Sequence, residues 1–331
     1  MVEITIIGSL NYDLVTFTKK VPDAGETFQA NLFENHLGGK GLNEALAVSR
    51  LTGKNQSINV RMIGNVGDDS FGKELKQSLV DQGVDTTHIK TLKGISSGVA
   101  VIMVEENGEN RILITAGANG ELKPSDEDYK HYFPRNERGN FVVLQNEYPD
   151  TAKTVEWLKH NRPEINIAYN PSPFKPEILD KRFLGYIDLL IVNEGEALDV
   201  ATNLLPPKDH EIFQDTIKND RIDGFQKVAE KLRTMLNQEN VCIVIITMGS
   251  LGSIVTSKSS ESTFHKSRKV KEVVDTTGAG DTFFGAVVLQ LALGSDIDRA
   301  ITFATVASSL TIQKKGAAES IPTFDIVSSN L

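Results

Sequence analysis

The sequence contains very little cysteine. Its 331 residues include one, Cys242, so no disulfide can form within the chain. Cys242 lies in the apolar run Val241–Ile246, and we interpret it as a buried strand residue. Apolar surroundings raise the pKa of a thiol, which disfavours a nucleophilic role. A chain without disulfides fits a reducing compartment, so we expect a cytoplasmic protein and leave open an additional nuclear pool.

Long apolar runs and basic clusters are also missing. No apolar stretch approaches the roughly 20 residues that cross a bilayer, so we expect no membrane partner. The formal net charge is -9, and the densest basic stretch is the short segment Lys266–Lys271. An acidic surface repels phosphate backbones, so we expect no nucleic-acid partner. A phosphate-bearing ligand must then be held by backbone amides and a few placed cations.

Several catalytic signatures are absent as well. The single cysteine and six scattered histidines show no zinc-binding spacing. No G-x-G-x-x-G follows the first predicted strand, so the fingerprint of a dinucleotide-binding fold is missing there. The Gly-rich segment Gly38–Asn43 is not a Walker A motif, since that motif needs a longer gap and a Ser or Thr after the lysine.

Short β-branched runs alternate with longer helical patterns along the chain. Several runs are continuously apolar, which is typical of strands covered on both faces. We therefore predict an α/β fold over residues 1–331, with a doubly wound, mainly parallel sheet flanked by helices. Ligands bind such sheets beyond the carboxyl ends of the strands. The polar segment Leu204–Asp223 is predicted to be a surface insertion between two helices.

Two segments, at about 12–37 and 89–115, break this alternation. We interpret them as antiparallel strands of a small β-sheet, inserted twice into the main domain. Such a sheet near the strand ends could act as a lid that excludes water, and a peripheral decoration is the alternative. The dipeptide Asn107-Gly108 is a hairpin signal. The candidate lid strands are Val15–Thr18, Thr27–Phe33, Gly98–Val104 and Arg111–Thr115.

The strongest chemical signal is the segment Asp275-Thr276-Thr277-Gly278-Ala279-Gly280-Asp281. It lies between a predicted strand, Val270–Val274, and a predicted helix that begins at Ala279. Glycines let amides at a helix start approach an anion closely, where they can offset charge on a transferred phosphoryl group. Asp281, in the first helical turn, can accept the proton of an attacking hydroxyl. A helix cap is the structural alternative for Asp281.

Two weaker motifs suit a sugar. Lys40 and Asn43 lie one turn apart at the start of a predicted helix, where their donors suit a polyhydroxy substrate. A Gly-rich loop with a surface lysine is the alternative. Asn11 and Asp13 share a face of extended chain and can bind paired hydroxyls, or they form an Asx turn.

Two further motifs suit a nucleotide and its metal. In Asn193–Glu196, Glu196 could hold waters of a Mg²⁺ ion or complete a capping box with Asn193. The segment Thr247–Gly252, between two apolar strands, either admits a nucleotide or forms only a hairpin. The spacing favours the hairpin.

Together and in this order, these motifs resemble the ribokinase family of phosphofructokinase-B-like carbohydrate kinases. The resemblance covers nearly the whole chain and implies the α/β fold with a β-sheet lid. The segments that carry it are Gly8–Asp13, Gly38–Asn43, Gly64–Gly72, Gly117-Ala118-Asn119, Asn193–Glu196, Thr247–Gly252 and Asp275–Asp281.

The resemblance implies ATP-dependent phosphorylation of D-ribose at the 5-hydroxyl. Alternatives are a related kinase for another pentose, a ketohexose or a nucleoside, or a non-catalytic sugar-binding regulator. Asp281 would be the base, and Gly278, Ala279 and Gly280 would form the anion hole. The implied ribose-binding residues are Asn11, Asp13, Gly39, Lys40, Asn43, Glu147 and Asp281. The implied ATP-binding residues are Asn193, Thr247, Gly249, Ser250, Gly252, Gly280 and Thr305.

The resemblance also implies two metal ions and a dimer. Glu196 would help place Mg²⁺ through water, and a monovalent cation, K⁺, would activate the enzyme. A homodimer would form through the β lid. The implied K⁺ residues are Asp275, Thr277, Thr311, Lys314, Gly316 and Ser320.

Overall fold

The computed structural model describes residues 2–53, 58–107, 109–258 and 260–331. Gly108 of the predicted hairpin dipeptide lies outside them. The strands within those residues are β1 (Val2–Ile7), β2 (Asn11–Thr18), β3 (Leu32–Gly38), β4 (Ile58–Gly67), β5 (Asp85–Leu92), β6 (Gly98–Glu105), β7 (Asn110–Thr115), β8 (Phe141–Leu144), β9 (Asn166–Tyr169), β10 (Leu189–Asn193), β11 (Ile243–Thr247), β12 (Gly252–Ser257) and β13 (Ser260–Lys266).

Helices alternate with these strands, and a short 3-10 helix covers Gly117–Glu121. The α-helices in the described ranges are α1 (Lys40–Thr52), α2 (Ser70–Asp81), α3 (Asp126–Tyr132), α4 (Thr151–Asn161), α5 (Lys181–Leu184), α6 (Glu194–Leu204), α7 (Pro207–Asn219), α8 (Arg221–Arg233), α9 (Ala279–Ala292), α10 (Ile297–Thr311) and α11 (Phe324–Ser328). None of the helices in these ranges is long and apolar enough to cross a membrane.

In the described part of the chain, nine strands form the main sheet, in the order β13-β12-β11-β10-β9-β8-β1-β4-β5. The strands from β11 to β5 pair in parallel, while β12 and β13 complete one edge in antiparallel fashion. Strands β8 and β11 are buried along nearly their whole length because helices cover both faces of the sheet. The prediction of a mainly parallel α/β sheet flanked by helices is confirmed.

The sheet separates two hydrophobic cores. Along β1, Ile6 packs into the core that contains side chains of α1, α9 and α10, whereas Ile7 packs into the core that contains side chains of α4, α6 and α8. Successive side chains of a strand point to opposite faces, so one strand serves both cores. Helices α1 and α9 therefore lie on the same face of the sheet.

A second sheet, in the order β3-β2-β6-β7, confirms the predicted small β-sheet. Its outer pairs are antiparallel, but its central pair, β2 with β6, is parallel, so the expectation of antiparallel strands throughout is wrong. The chain between β2 and β6 passes through the main domain, and such a crossover allows parallel pairing. We call this four-stranded sheet the lid.

Three predicted boundaries are wrong. The lid strand predicted at Thr27–Phe33 lies at Leu32–Gly38, and β5, part of the predicted lid segment, pairs with β4 in the main sheet. The strand predicted at Val270–Val274 is irregular chain. Val273 and Val274 are exposed there, and the Val274 amide donates to the Ile312 carbonyl at 2.8 Å. β-branched composition favours a strand only where a neighbouring strand offers a ladder.

The predicted polar insertion at Leu204–Asp223 contains a helix of its own. Helix α7 begins with Pro207 in its first turn, a position at which proline loses no helical hydrogen bond. Phe213 is the buried residue of α7 and joins the core beneath α8. The sequence did not predict this helix, because only a narrow stripe of α7 is buried and most of its other residues are polar.

Asp69 ties helix α2 to the lid. Its Oδ1 accepts hydrogen bonds from the Gly72 amide and the Ser97 hydroxyl, both at 2.7 Å, and its Oδ2 accepts from the Ser97 amide at 2.7 Å. Burial raises the pKa of Asp69, but these hydrogen bonds outweigh burial and leave the pKa below its ordinary value. The carboxylate thus caps α2 and fixes the loop that leads into β6.

We predict that Asp69→Ala lowers the free energy of unfolding by about 1–3 kcal/mol, because a cap and two loop hydrogen bonds are lost. A folded-state pKa below the unfolded value of about 3.9 means that the stabilisation is present at neutral pH and is lost as the pH falls through the folded-state pKa. The difference between wild type and variant, measured by urea denaturation, should therefore shrink in acid.

Asp199→Ala is the matched control, because Asp199 is exposed on α6. It should change stability by no more than about 0.5 kcal/mol. Equal losses in the two variants would contradict the role of Asp69.

Candidate active site

Helix α9 begins at a sharp turn that requires glycine. Gly278 has a φ of 75°, in the left-handed region, and a Cβ on it would lie 2.9 Å from the Ala317 Cα. A Cβ on Gly280 would meet nothing within 4 Å, so open space adjoins the first turn. The start of a helix exposes unpaired amides and the positive end of its dipole. This turn can therefore receive an anion.

Asp281, in the first turn of α9, points across to α1. Its Oδ2 accepts a hydrogen bond of 2.7 Å from the Asn43 Nδ2, and its Oδ1 lies 3.6 Å from the Lys40 Nζ. Gly278 is the N-cap of α9, and no side chain caps this helix, so the capping alternative for Asp281 is excluded. The negative charge of Asp281 raises the pKa of Lys40, which keeps the ammonium charged.

Glu147 holds the turn that precedes α1. Its Oε2 accepts a hydrogen bond from the Lys40 amide at 2.9 Å and a short one from the Ser9 hydroxyl. Gly39 in this turn has a φ of 89°, and a Cβ on it would lie 2.8 Å from the Asn11 amide nitrogen. Four of the predicted sugar residues are thus brought together from three segments that are distant in sequence.

Asn119 fixes the position of Asn11. Its Nδ2 donates to the Asn11 Oδ1 at 2.8 Å and to the Leu10 carbonyl at 3.0 Å, while its Oδ1 accepts from the Leu10 amide at 2.9 Å. We did not predict a site role for Asn119 or Ser9. The sequence signal that could have identified them is that they lie in two segments that carry the family resemblance, Gly117–Asn119 and Gly8–Asp13.

Asp13 lies at the same end of the lid. A Cβ on Gly38 would come within 2.3 Å of the Asp13 Oδ2, so a glycine at position 38 makes room for this carboxylate. Burial, followed by the negative charge of Glu147, raises the pKa of Asp13 to about 7, although His36 lowers it. Carboxylates outnumber cations around Lys40, and donors from a polyhydroxy ligand would relieve this excess of acceptors.

Five of the predicted nucleotide residues lie at or just beyond the carboxyl end of β10 or β11. Asn193 and Thr247 are direct partners in the register of these strands. The segment Thr247–Gly252 forms a hairpin between β11 and β12, as the spacing favoured. A Cβ on Gly252 would lie 2.0 Å from the His265 carbonyl oxygen, so this turn requires glycine.

Gly249 and Ser250 occupy the tip of this hairpin. Gly249 has a φ of 54°, and the Ser250 carbonyl accepts a short hydrogen bond from the Ser267 hydroxyl. Thr305 is half-buried in the middle of α10, and within the described residues no hydrogen bond joins it to the hairpin or to Asn193.

Asn193 and Glu196 form the capping box that the sequence allowed. The Asn193 Oδ1 accepts from the Glu196 amide at 2.9 Å, and the Glu196 Oε2 accepts from the Asn193 amide at 3.0 Å and from the Asn170 Nδ2 at 3.1 Å. Within the described chain, Glu196 Oε1 makes no such bond. One carboxylate oxygen thus stays available to a metal-bound water, which fits indirect Mg²⁺ placement. The described residues contain no direct metal-binding cluster of three or more His, Cys, Asp or Glu.

Asp275 joins the two segments predicted to hold K⁺. Its Oδ1 accepts from the amide and hydroxyl of Thr277 at 2.9 and 2.6 Å, and its Oδ2 accepts from the Gly316 amide at 3.0 Å. Burial raises the pKa of Asp275, but these hydrogen bonds outweigh burial and leave the pKa lowered. Carboxylate, carbonyl and hydroxyl oxygens are suitable ligands for a hard cation.

The remaining predicted K⁺ residues surround the same turn. The Lys314 amide donates to the Thr311 carbonyl at 3.1 Å, and the Ser320 hydroxyl donates to the Ala317 carbonyl at 2.9 Å. The Thr311 hydroxyl is buried against the Thr282 hydroxyl at 3.2 Å. Thr311 therefore has only its carbonyl to offer a cation in this arrangement.

Comparisons with known proteins identify the family of the chain. Residues 1–324 match the family described as pfkB family carbohydrate kinase. A ribokinase from Schizosaccharomyces pombe is 37% identical over 326 residues, which cover 98% of this chain and 96% of that protein. A deoxyribokinase from Salmonella typhi is 30% identical over 98% of this chain and 96% of its own length.

A solved structure extends the similarity to three dimensions. The ribokinase of Arabidopsis thaliana, complexed with ribose and ATP, superposes with a TM-score of 0.82 at 26% identity, over 99% of this chain and 98% of that one. The family match spans nearly all of the chain and includes every motif described above. The chain therefore belongs to the pfkB family of carbohydrate kinases, and it is a sugar kinase.

Proposed function

We propose that this chain transfers the γ-phosphate of ATP to the 5-hydroxyl of D-ribose. The observation that carries the proposal is Asp281, a carboxylate held by Asn43 and Lys40 in the first turn of α9, where open space adjoins Gly280. A base and an anion site within one turn suit transfer of a phosphoryl group to a hydroxyl. The ribokinase relatives support ribose as the sugar.

The sugar would lie between the lid and the start of α1. Asn11 and Asp13 would approach it from β2, and Lys40 and Asn43 from α1. Glu147 already accepts the Lys40 amide and would contact the sugar from the end of β8. Gly39 would keep this turn closely packed beside the sugar, since its positive φ and the nearby Asn11 amide leave no room for a side chain.

The transfer would proceed in line. The ribose 5-oxygen attacks the γ-phosphorus while Asp281 accepts the hydroxyl proton, and the bond from the γ-phosphorus to the β,γ-bridging oxygen breaks to release ADP. Amides of Gly278, Ala279 and Gly280 would stabilise the charge on the transferred group. Before the transfer Lys40 is charged, because the negative charge of Asp281 raises its pKa.

The nucleotide would bind beside the ends of β10 and β11, against Asn193, Thr247 and the hairpin Gly249–Gly252, with Thr305 near the base. Mg²⁺, when bound, would offset charge on the phosphates. Glu196 would orient its waters through the oxygen that the capping box leaves unused.

The proposal predicts the substrate and the product. Among sugars and nucleosides tested with ATP, D-ribose should give the highest kcat/KM, and ³¹P NMR should identify a 5-phosphate ester. The deoxyribokinase relative makes 2-deoxyribose the competing substrate, and a higher kcat/KM for it would replace ribose in the proposal. A nucleoside or ketohexose preference would also reject it.

The variant Asp281→Asn tests the mechanism in the same assay. It should fold and bind ATP as wild type does but lose roughly 10² or more in kcat, because the amide cannot accept the proton. Asp325→Asn, an exposed change on α11, is the control and should leave kcat unchanged. Near-wild-type turnover of Asp281→Asn would contradict the role of the base, whereas a wild type without turnover would favour the non-catalytic alternative.

We also propose that the turn around Asp275 binds K⁺. The positive charge would lie beside the amides of the α9 start, where it would add to the field that attracts phosphate. The Asp275 carboxylate joins the two chain segments at Thr277 and Gly316, and the Val274 and Asp275 amides both donate to the Ile312 carbonyl beside it.

Replacing Na⁺ with K⁺ at constant ionic strength should raise the initial rate of ribose phosphorylation. Asp275→Asn should reduce the difference between the two salts, because it removes the anionic ligand. Asp298→Asn, on α10, is the matched control and should keep the wild-type response. Equal rates of the wild type in the two salts would contradict a K⁺ site.

We further propose a homodimer that forms through the lid. Every residue of β7 is exposed, and the apolar side chain of Leu113 is 65% exposed. Ile112 and Ile114 beside it, and Phe33 on β3, are also exposed. A concentration of exposed apolar side chains marks a surface that another protein covers.

Light scattering should give the mass of a dimer for wild type, and Leu113→Asp should shift it towards the monomer, because a buried charge would be unpaired. Ile212→Asp, at an exposed apolar position on α7, is the control and should remain dimeric. A monomeric wild type would reject the proposal, and so would a dimeric Leu113→Asp.

A further inference from the structure

A buried carboxyl group lies next to the proposed active site, and the reaction described above does not use it. Glu44 is 1% exposed and follows Asn43 in helix α1. Helix α9 packs closely at this point, since a Cβ on Gly285 would lie 3.2 Å from the Glu44 carbonyl oxygen. In a carboxyl group this deeply buried, each oxygen needs a hydrogen-bond partner.

The partner of Glu44 is Gln145, which is 0% exposed. The Gln145 Nε2 donates a short hydrogen bond to the Glu44 Oε2. Gln145 directly follows β8 and stands two residues before Glu147. The pair therefore connects α1, which carries Lys40 and Asn43, with the end of β8, which carries Glu147.

One oxygen on each side of this pair lacks a partner. Among the described residues, neither the Glu44 Oε1 nor the Gln145 Oε1 makes a hydrogen bond, although both are buried. If Glu44 were ionised, both atoms would be acceptors only, and two acceptors cannot satisfy each other. A single proton on the Glu44 Oε1 would provide the donor that both oxygens lack.

The surroundings leave little room for a water molecule on the amide side. A Cβ on Gly8 would lie 2.2 Å from the Gln145 Oε1, and the Gly8 amide is already used, since it donates to the Ile63 carbonyl at 3.3 Å. A proton on Glu44 therefore accounts for the unpaired oxygen of Gln145 more directly than a bridging water does.

The charges around Glu44 act in the same direction. Asp281 on α9 and Glu147 after β8 are negative, and Lys40 on α1 is the positive group among them. Burial, followed by the charge of Asp281, raises the pKa of Glu44 well above its ordinary value, while Lys40 and Gln145 lower it only in part. An ionised Glu44 would compete with Asp281 for the one ammonium.

We propose that Glu44 is protonated in the working enzyme and donates a hydrogen bond from its Oε1 to the Gln145 Oε1. The neutral acid–amide pair positions α1 against the end of β8 without adding charge beneath the reacting groups. Glu44 touches neither the substrate nor the reacting atoms, so it is a positioning residue. Its effect on turnover rests on the proposed function, whereas its protonation state does not.

The protonation state can be measured without substrate. In protein labelled with ¹³C at the glutamate side-chain carboxyl, the spectrum at pH 7 should contain one resonance at the shift of a protonated carboxylic acid. Asp13 carries no label and cannot contribute. The resonance should be missing from Glu44→Gln and present in Glu230→Gln, an exposed control on α8. A wild-type spectrum with carboxylate resonances only would overturn the proposal, and this result requires no variant.

Kinetics test the positioning role. In Glu44→Gln an amide replaces the acid and can form the same two hydrogen bonds, so kcat and the KM for ribose at pH 7 should stay within about twofold of wild type. As the pH rises, wild type should lose kcat/KM when the Glu44 resonance titrates, because a new negative charge draws Lys40 from Asp281. Glu44→Gln should lack this loss.

The two failures can be told apart. If the pH profiles of wild type and Glu44→Gln coincide while the acid resonance is present, the positioning role is wrong. If the acid resonance is present and ribose is not a substrate, the proposed function fails and the protonated pair stands.

Discussion

The contact between Asp281 and helix α1 is the interaction on which the candidate site depends. It joins residues 238 positions apart, with the Asn43 amide at 2.7 Å and the Lys40 ammonium at 3.6 Å from the carboxylate. The contact orients the Asp281 carboxylate, keeps Lys40 charged and sets the start of α9 beside the start of α1. A carboxylate in the first turn of a helix can cap that helix. Here Asp281 instead contacts Asn43 and Lys40 of α1.

Two glycines allow this contact between the starts of α1 and α9. Gly39 and Gly278 each begin a helix with a positive φ, and each has a neighbour within 3.0 Å of where a Cβ would stand. A side chain at Gly39 would collide with the Asn11 amide, and one at Gly278 would collide with Ala317. The shared face of the sheet then brings α1 and α9 together, because the core that contains Ile6 packs against both.

The lid is attached to this site by polar contacts. Asn119 fixes the strand that carries Asn11, and Asp69 fixes the loop before β6. Asn119 lies in the 3-10 helix that follows β7, and Asp69 is the N-cap of α2. Their hydrogen bonds fix the start of β2 and the loop before β6 to the main domain. The lid is thus held in place although much of its own apolar surface is exposed. Next to the site, Glu44 and Gln145 join α1 to the end of β8 in a comparable way, through a hydrogen bond between side chains.

The sequence by itself determined the fold class, the order of most elements and the segments that carry the chemistry. Apolar runs such as those of β8 and β11 identify strands covered on both faces, and Gly278–Asp281 identifies a helix start, because these signals depend on neighbours along the chain. The same local signals misplaced Val270–Val274 and missed α7, since a strand needs a partner and a helix needs one buried stripe. Only the tertiary structure decided that Asp281 bonds Asn43 and does not cap its own helix, and that Glu44 meets Gln145. Those pairings depend on which elements pack against each other in the folded protein. The spacing of residues along the sequence does not specify these contacts.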